Sequence, residues 1–393
     1  MRQTPEIRYR TNCWRWRLQA NAEETNRPGE KRMKGHRLYS LDFLKIAATI
    51  LILFHHYQQT LGVRFDGINF YGGDFYFGWV VEFFFLLSGF FMVKYVDMIC
   101  SGTSFLDFFK KRFIRLFPML AISSVAYEII YKVYLVYSGE LTNDHLSLFG
   151  TLITASGLNI GWCFSYIEVN GPMWYVSVLL LCYAEFYYVT WLSKRLEADP
   201  YILYVLVIMI GIGVCTYEIN LPFFNMYSAR GQYSFFYGLL FGRFALRHLL
   251  ESEKSNWKLQ LLCLCTVGIL SYLIATNDAL VSYEIKYILV FLYYPALIIL
   301  FLSRPMCRLF DNLVIRELGQ ISFDVFVFHS PLLLLVLYLY AKTNYAFRIE
   351  QYRIMFLITI VFFLVGTVFH YCLELPINKA IQSAQRRKTQ TER

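Results

Sequence analysis

Residues 41–56 read Leu-Asp-Phe-Leu-Lys-Ile-Ala-Ala-Thr-Ile-Leu-Ile-Leu-Phe-His-His, an apolar run with Asp42 and Lys45 near its start and His55 and His56 near its end. A stretch of this kind reads as a membrane-spanning helix, and ionisable groups inside one are functional by default. At about 100° and 1.5 Å per residue, the step from Lys45 to His56 returns to the same helix face about three turns deeper. Lys45 is therefore expected at one interface and His56 inside the bilayer, in a site reached from one side.

Composition extends that reading to the whole chain. Of 393 residues, 57% are hydrophobic and only 17% charged, which excludes an ordinary soluble domain. Further apolar runs begin near Trp79, Ile114, Pro172, Tyr201, Gln232, Trp257, Ile285, Ile321 and Met355. The expectation is an all-α polytopic integral membrane helix bundle of about ten transmembrane helices. The basic residues test that count independently. With both termini cytoplasmic, 29 of the 37 Lys and Arg residues fall in inward segments. Arg64, Lys132, Arg230, Lys286, Lys342, Arg348 and Arg353 fall outside, and Lys45 lies within the first span. The net charge of +9 is then mostly cytoplasmic, where it matches anionic lipid headgroups rather than nucleic acid.

Residues 1–38 and 377–393 read as basic cytoplasmic tails around a transmembrane domain at 39–376. The N-terminal tail lacks the apolar core of a secretory signal, and Met33 is an alternative natural start. Residues 147–165 are apolar but broken by Gly, Ser and Asn. They are expected to be re-entrant or interfacial on the outer side, because a full crossing would invert every later loop. The nine cysteines show no metal-ligand spacing, so packing is their expected role and no metal site is expected.

Four further clusters carry chemistry. In Lys110-Lys111-Arg112-Phe113-Ile114-Arg115 the arginines are three apart at a cytoplasmic helix end, a spacing that suits forked hydrogen bonds to phosphate as well as positive-inside topology. Glu82-Phe83-Phe84-Phe85-Leu86-Leu87-Ser88-Gly89-Phe90 places a carboxylate in the second span, where it needs a cationic or hydrogen-bonding partner, and a small Ser88-Gly89 pair that permits close helix approach. The run from Ile321 through Ser322, Asp324 and His329 to Pro331 puts an imidazole deep in the ninth span. His370 and Glu374 are i,i+4 neighbours closing the tenth, where a local hydrogen bond is the simplest reading.

Taken together, these stretches resemble the acyltransferase 3 family of polytopic membrane O-acyltransferases over about nine-tenths of the chain. The family's opening pattern of Leu-Asp, a basic residue and a later His is met by Leu41, Asp42, Lys45 and His56, with Lys where Arg is usual. Its run ending in Ser-Gly-Phe is met by Glu82 through Phe90. Its Arg-x-x-Arg is met by Arg112 and Arg115, and its central Trp motif by Gly171-Pro172-Met173-Trp174-Tyr175. Its late motifs are met by Ser322, His329 and Pro331, then by Glu374 and Pro376. Two departures narrow the reading. No paired glutamates follow Trp174, and about twenty residues follow the last span, so a stand-alone transferase is expected rather than one fused to an outer domain.

The resemblance implies no bound cofactor and acetyl-CoA, or another acyl-CoA, as the donor, with its phosphates near Arg112 and Arg115. The implied acceptor is a hydroxyl of an envelope or secreted glycan at a bacterial inner membrane, reached directly or through a separate extracytoplasmic protein. His56 is the expected general base, with an acyl-imidazole as the competing route. His55, about 100° around the helix, is the rival base. Lys45 either pairs with Asp42 or reaches for the interface. Glu82, Ser88, Trp174, His329 and Glu374 are supporting residues. A transporter is the alternative class, although no internal repeat supports it.

Overall fold

The computed structural model describes residues 38–140, 148–162, 169–246, 257–276, 284–343 and 348–381, with positions 249 and 383. Met33 and most of both tails lie outside the described residues. In chain order the helices are α1 (Tyr39–Leu61), α2 (Val81–Met92), α3 (Val96–Cys100), α4 (Phe105–Ser138), α5 (Leu148–Ala155), α6 (Trp174–Arg195) and α7 (Pro200–Thr216). There follow α8 (Met226–Ala245), α9 (Trp257–Thr276), α10 (Ile285–Ile288), α11 (Tyr294–Phe301), α12 (Arg304–Phe310), α13 (Leu313–Lys342) and α14 (Tyr352–Phe369). Among the described residues there is no β-strand, and the protein is all-helical as its patterning predicts.

Among the described residues, six stretches are long and apolar enough to cross a membrane: Phe77–Cys100, Phe105–Ser138, Gly171–Arg195, Trp257–Thr276, Leu313–Lys342 and Tyr352–Ile381. A seventh arises if Ile285–Phe301 and Arg304–Phe310, bent by 72°, form one span. Helix occurs at each of the ten expected places, but three helices fall short of the same test for physical reasons. α7 has only 17 residues. α1 and α8 carry polar groups that lower their apolarity, namely Lys45, His55, His56 and Gln58 in one and Arg230, Gln232 and Arg243 in the other. α5 has eight residues and rises about 12 Å, too little for about 30 Å of hydrocarbon. The segment containing it therefore makes no full helical crossing, and residues 163–168 lie outside the described residues.

Close backbone contact organises one side of the bundle. A Cβ on Gly89 of α2 would lie 1.9 Å from the Phe235 carbonyl oxygen of α8, and one on Gly238 would lie 2.1 Å from that of Leu86. Since backbone cannot yield, only glycine fits either position, and the small residue expected at Gly89 has this cause. On the other side α1 packs along α13, where a Cβ on Gly319 would meet the Cβ of Asp42 at 2.7 Å. Toward the end of α1 the Tyr57 hydroxyl donates to the Ile349 carbonyl, in the loop between α13 and α14, at 2.8 Å.

α13 contains Pro331, which has no N–H for the Val327 carbonyl one turn earlier. The Ser123 hydroxyl of α4 donates to that carbonyl at 2.6 Å, and the Asn170 amide donates to Ser123 at 2.8 Å. Asn170 sits in the left-handed region at φ 53°, immediately before the Gly-Pro-Met-Trp turn that starts α6. Three helices thus meet at the carbonyl that proline leaves open, beside His329. Removing the hydroxyl in Ser123→Ala is expected to cost about 1–3 kcal/mol by stranding buried polar groups. Thermal unfolding of the purified protein checks this, and Ser123→Thr should restore most of the loss.

Candidate active site

His55 and His56 lie on the penultimate turns of α1, and both face α13 or the loop after α1. The His56 and His329 rings are 5.0 Å apart at 34°, and the His55 and His56 rings are 5.0 Å apart at 86°. α1 and α13 therefore bring together two histidines that the sequence placed in separate motifs.

Their hydrogen bonds fix where the lone pairs are. His56 Nδ1 is 2.8 Å from Gln59 Oε1, His55 Nδ1 is 2.8 Å from the Phe70 carbonyl, and His329 Nδ1 bonds the Phe326 carbonyl. Each partner is an oxygen acceptor, so each Nδ1 carries the proton and each neutral ring keeps its basic lone pair on Nε2. His329 Nε2 is buried with no hydrogen-bond partner. His56 is half-buried, whereas His55 is enclosed by Tyr71 and Tyr76.

The loop beyond α1 is held by Gln58, whose Oε1 accepts from Phe70 N at 2.5 Å and Tyr71 N at 3.1 Å and whose Nε2 donates to Asn69 at 2.7 Å. His55 fastens the same loop, so its side chain is engaged structurally. His56 is not bound to it.

Arg112 and Arg115 occupy different surroundings. The Arg112 guanidinium lies over Phe108 at 3.6 Å and Tyr95 at 4.2 Å and donates to the Phe108 carbonyl at 2.6 Å, while Arg115 is exposed. From Arg112 a line of side chains runs into the bundle. Tyr183 is 5.9 Å from the guanidinium, and Ser88 lies beside Tyr183 and Tyr175. Tyr175 is 5.3 Å from Phe326, which is 5.5 Å from His329. The line links Arg112 to the histidine pair, and Ser88 lies along it.

At the base of α1, Lys45 Nζ is 2.9 Å from Asp42 Oδ1 and lies over the Phe91 ring. Of the two expectations for Lys45, pairing with Asp42 is the one seen.

Glu82 finds the cation its burial requires in Arg230. Nε is 2.6 Å from Oε1 and Nη2 is 3.0 Å from Oε2, while Nη2 also donates to the Gly78 carbonyl. The guanidinium sits between the Trp79 and Trp174 rings at 4.8 and 4.7 Å. Sequence reasoning counted Arg230 as a loop cation at the outer end of α8. The one available signal was a Glu and an Arg both inside apolar runs. Lys286, fully buried, adds a second cation over Trp79 at 5.5 Å.

His370 Nδ1 bonds Glu374 at 2.6 Å, as the i,i+4 spacing predicts, and also meets Asp324 of α13 at 2.9 Å. Asp324, His370 and Glu374 thus form a separate group from the histidine pair.

Apolar helices long enough to cross a bilayer, with buried ion pairs and paired histidines between them, define a multi-pass membrane protein with an internal polar site. The chain belongs to the acyltransferase 3 family, whose acyltransferase domain model matches residues 38–372, nearly all of the described chain. It is therefore a membrane acyltransferase, with an acyl donor and an acyl acceptor. No curated protein and no solved structure gives a significant match to the chain.

Proposed function

We propose that the protein transfers an acyl group, acetyl in the first instance, from cytoplasmic acyl-CoA to a hydroxyl of an envelope or secreted glycan, with His56 as general base. The observation that carries this reading is the His56–His329 pair, with its basic Nε2 atoms, at the inner end of the side-chain line from Arg112. CoA phosphates meet Arg115 and the Arg112 edge, and the pantetheine arm follows Tyr183, Ser88 and Tyr175. The acceptor hydroxyl gives its proton to His56 Nε2 as its oxygen attacks the thioester carbonyl. The tetrahedral intermediate expels the CoA sulfur, which takes the proton back from the imidazolium. The aromatic and cationic surface of Trp79, Trp174 and Arg230 is the acceptor side, since flat rings stack on sugars.

This reading includes ten spans, cytoplasmic termini and a bacterial inner membrane. The shorter α7 and the more polar α1 and α8 cross as members of the bundle, α1 packed on α13, α8 on α2 and α7 on α8, rather than facing lipid alone.

The test is release of CoA and transfer of label from radiolabelled acetyl-CoA by the purified protein in nanodiscs, with envelope glycans supplied. Arg115→Ala is expected to raise KM for acetyl-CoA about tenfold with kcat nearly unchanged, the loss of roughly one charged hydrogen bond. An unchanged KM with reduced kcat would remove the phosphate role from Arg115. Absence of turnover in well-folded wild type would sink the donor assignment.

A further inference from the structure

We propose that Asp324, His370 and Glu374 form a divalent transition-metal site that joins α13 to α14. One donor atom from each of the three lies within 4.8 Å of the other two. His370 Nδ1 faces Asp324 Oδ2 at 2.9 Å and Glu374 Oε2 at 2.6 Å. A single N–H donates fully to only one of these oxygens, so a second carboxylate is pressed against the same nitrogen. Asp324 is fully buried and His370 nearly so, and Asp324 Oδ1 and His370 Nε2 have no hydrogen-bond partner. Among the described residues, both carboxylates meet the same ring nitrogen of His370. Two carboxylates sharing one imidazole, one of them fully buried and the other half-buried, are under-neutralised, and such burial is costly unless a cation completes it.

The local backbone is built to bring these donors together. His370–Glu374 is a π-helical turn, a wider turn than α, and turns of this type occur mostly at functional sites. One turn earlier, Gly366 lets α14 approach α13: a Cβ there would meet Val325 Cγ2 at 2.5 Å. Asn378 donates to the far Glu374 oxygen at 3.4 Å, an outer contact of the kind that orients a ligating carboxylate.

One imidazole nitrogen and two carboxylate oxygens suit Zn²⁺, Mn²⁺ or Fe²⁺, whereas Mg²⁺ and Ca²⁺ prefer oxygen alone. Three protein ligands leave a fourth position for water. Asp324 precedes His329 by five residues, about 7.5 Å along α13, so the metal sets the placement of α13 and not the reacting atoms. The cysteine pattern held no trace of this site because its donors come from two helices and include no thiol.

The test uses full-length protein in nanodiscs, without a histidine tag, stripped with EDTA, reloaded with Zn²⁺ and freed of excess metal. Elemental analysis is expected to find about one zinc per chain in wild type and a loss of at least fivefold in Asp324→Asn and His370→Asn. X-ray absorption on loaded wild type should read one imidazole and two carboxylate ligands at about 2.0–2.2 Å, a measurement that stands even if the variants fail to fold. Folded wild type that retains no zinc overturns the site. So does a sulfur-dominated spectrum, which would move the metal to one of the cysteines, or undiminished zinc in both variants.

Discussion

His56→Ala is expected to reduce acyl transfer by about 10²–10⁴ with the fold intact, the range for removing a positioned general base. The alanine keeps the helix, since His56 binds only Gln59 within its own turn and touches His329 through its ring. His55→Ala should behave differently. Its Nδ1 holds the Phe70 carbonyl, so its loss loosens the loop after α1 and reduces thermal stability along with activity. Rates of CoA release and label transfer, measured beside unfolding midpoints, separate the two. If His55→Ala removed activity at unchanged stability while His56→Ala stayed near wild type, the base would be His55. His329→Ala divides the remaining mechanisms. With direct transfer it lowers kcat without a covalent intermediate, whereas an acyl-imidazole would leave label on protein after denaturing quench of His329→Ala.

Breaking the Glu82–Arg230 pair from one side is the largest stability effect expected. In Arg230→Leu a carboxylate with no measurable exposure loses both charged hydrogen bonds and is left among Phe83, Trp79 and Tyr233. Removing one partner of a buried pair costs about 3–5 kcal/mol, enough to unfold a large share of the protein in detergent. The double substitution Glu82→Leu with Arg230→Met should recover part of that loss, because the stranded carboxylate is gone while Lys286, buried beside Trp79, loses the Glu82 charge. Thermal unfolding of the three variants in one lipid environment checks the order. Equal destabilisation of single and double variants would show that the cation between Trp79 and Trp174 matters through its stacking instead.

Much of this arrangement was legible in the chain. The spacing of Asp42, Lys45 and His56 on one apolar run places them on α1, and the i,i+4 bond from His370 to Glu374 follows from helix geometry alone. The demand of Glu82 for a cationic or hydrogen-bonding partner, unless water at the interface served it, was also legible, since burial of a lone carboxylate in hydrocarbon is so unfavourable. What supplied the cation was not. Arg230 lies 148 positions away, and hydropathy says nothing about which helix packs on which.

The same limit explains Asp324, visible in its run yet meaningless until α14 brings His370 against it. α1 and α8 are made less apolar by the very residues that give the bundle its polar interior, so they fall below the apolarity of the six longer stretches. Arg112 and Arg115, expected to act together on one face, are separated by burial because 60° of rotation suffices to turn one from Tyr95 and Phe108 toward solvent.

The packing of α1 against α13 has a consequence for how the protein is made. Tyr57 and Ile349 are 292 positions apart, and His56 meets a helix from the same late part of the chain. At roughly 5–20 residues per second, α1 waits about 15–60 s at the ribosome before its partner is synthesised. During that interval Lys45 already has Asp42 and Phe91, and His55 has the Phe70 carbonyl, but His56 lacks the ring of His329 that it packs against. The first helix therefore depends on the insertion machinery, or on water held at its polar face, until the far end of the chain arrives.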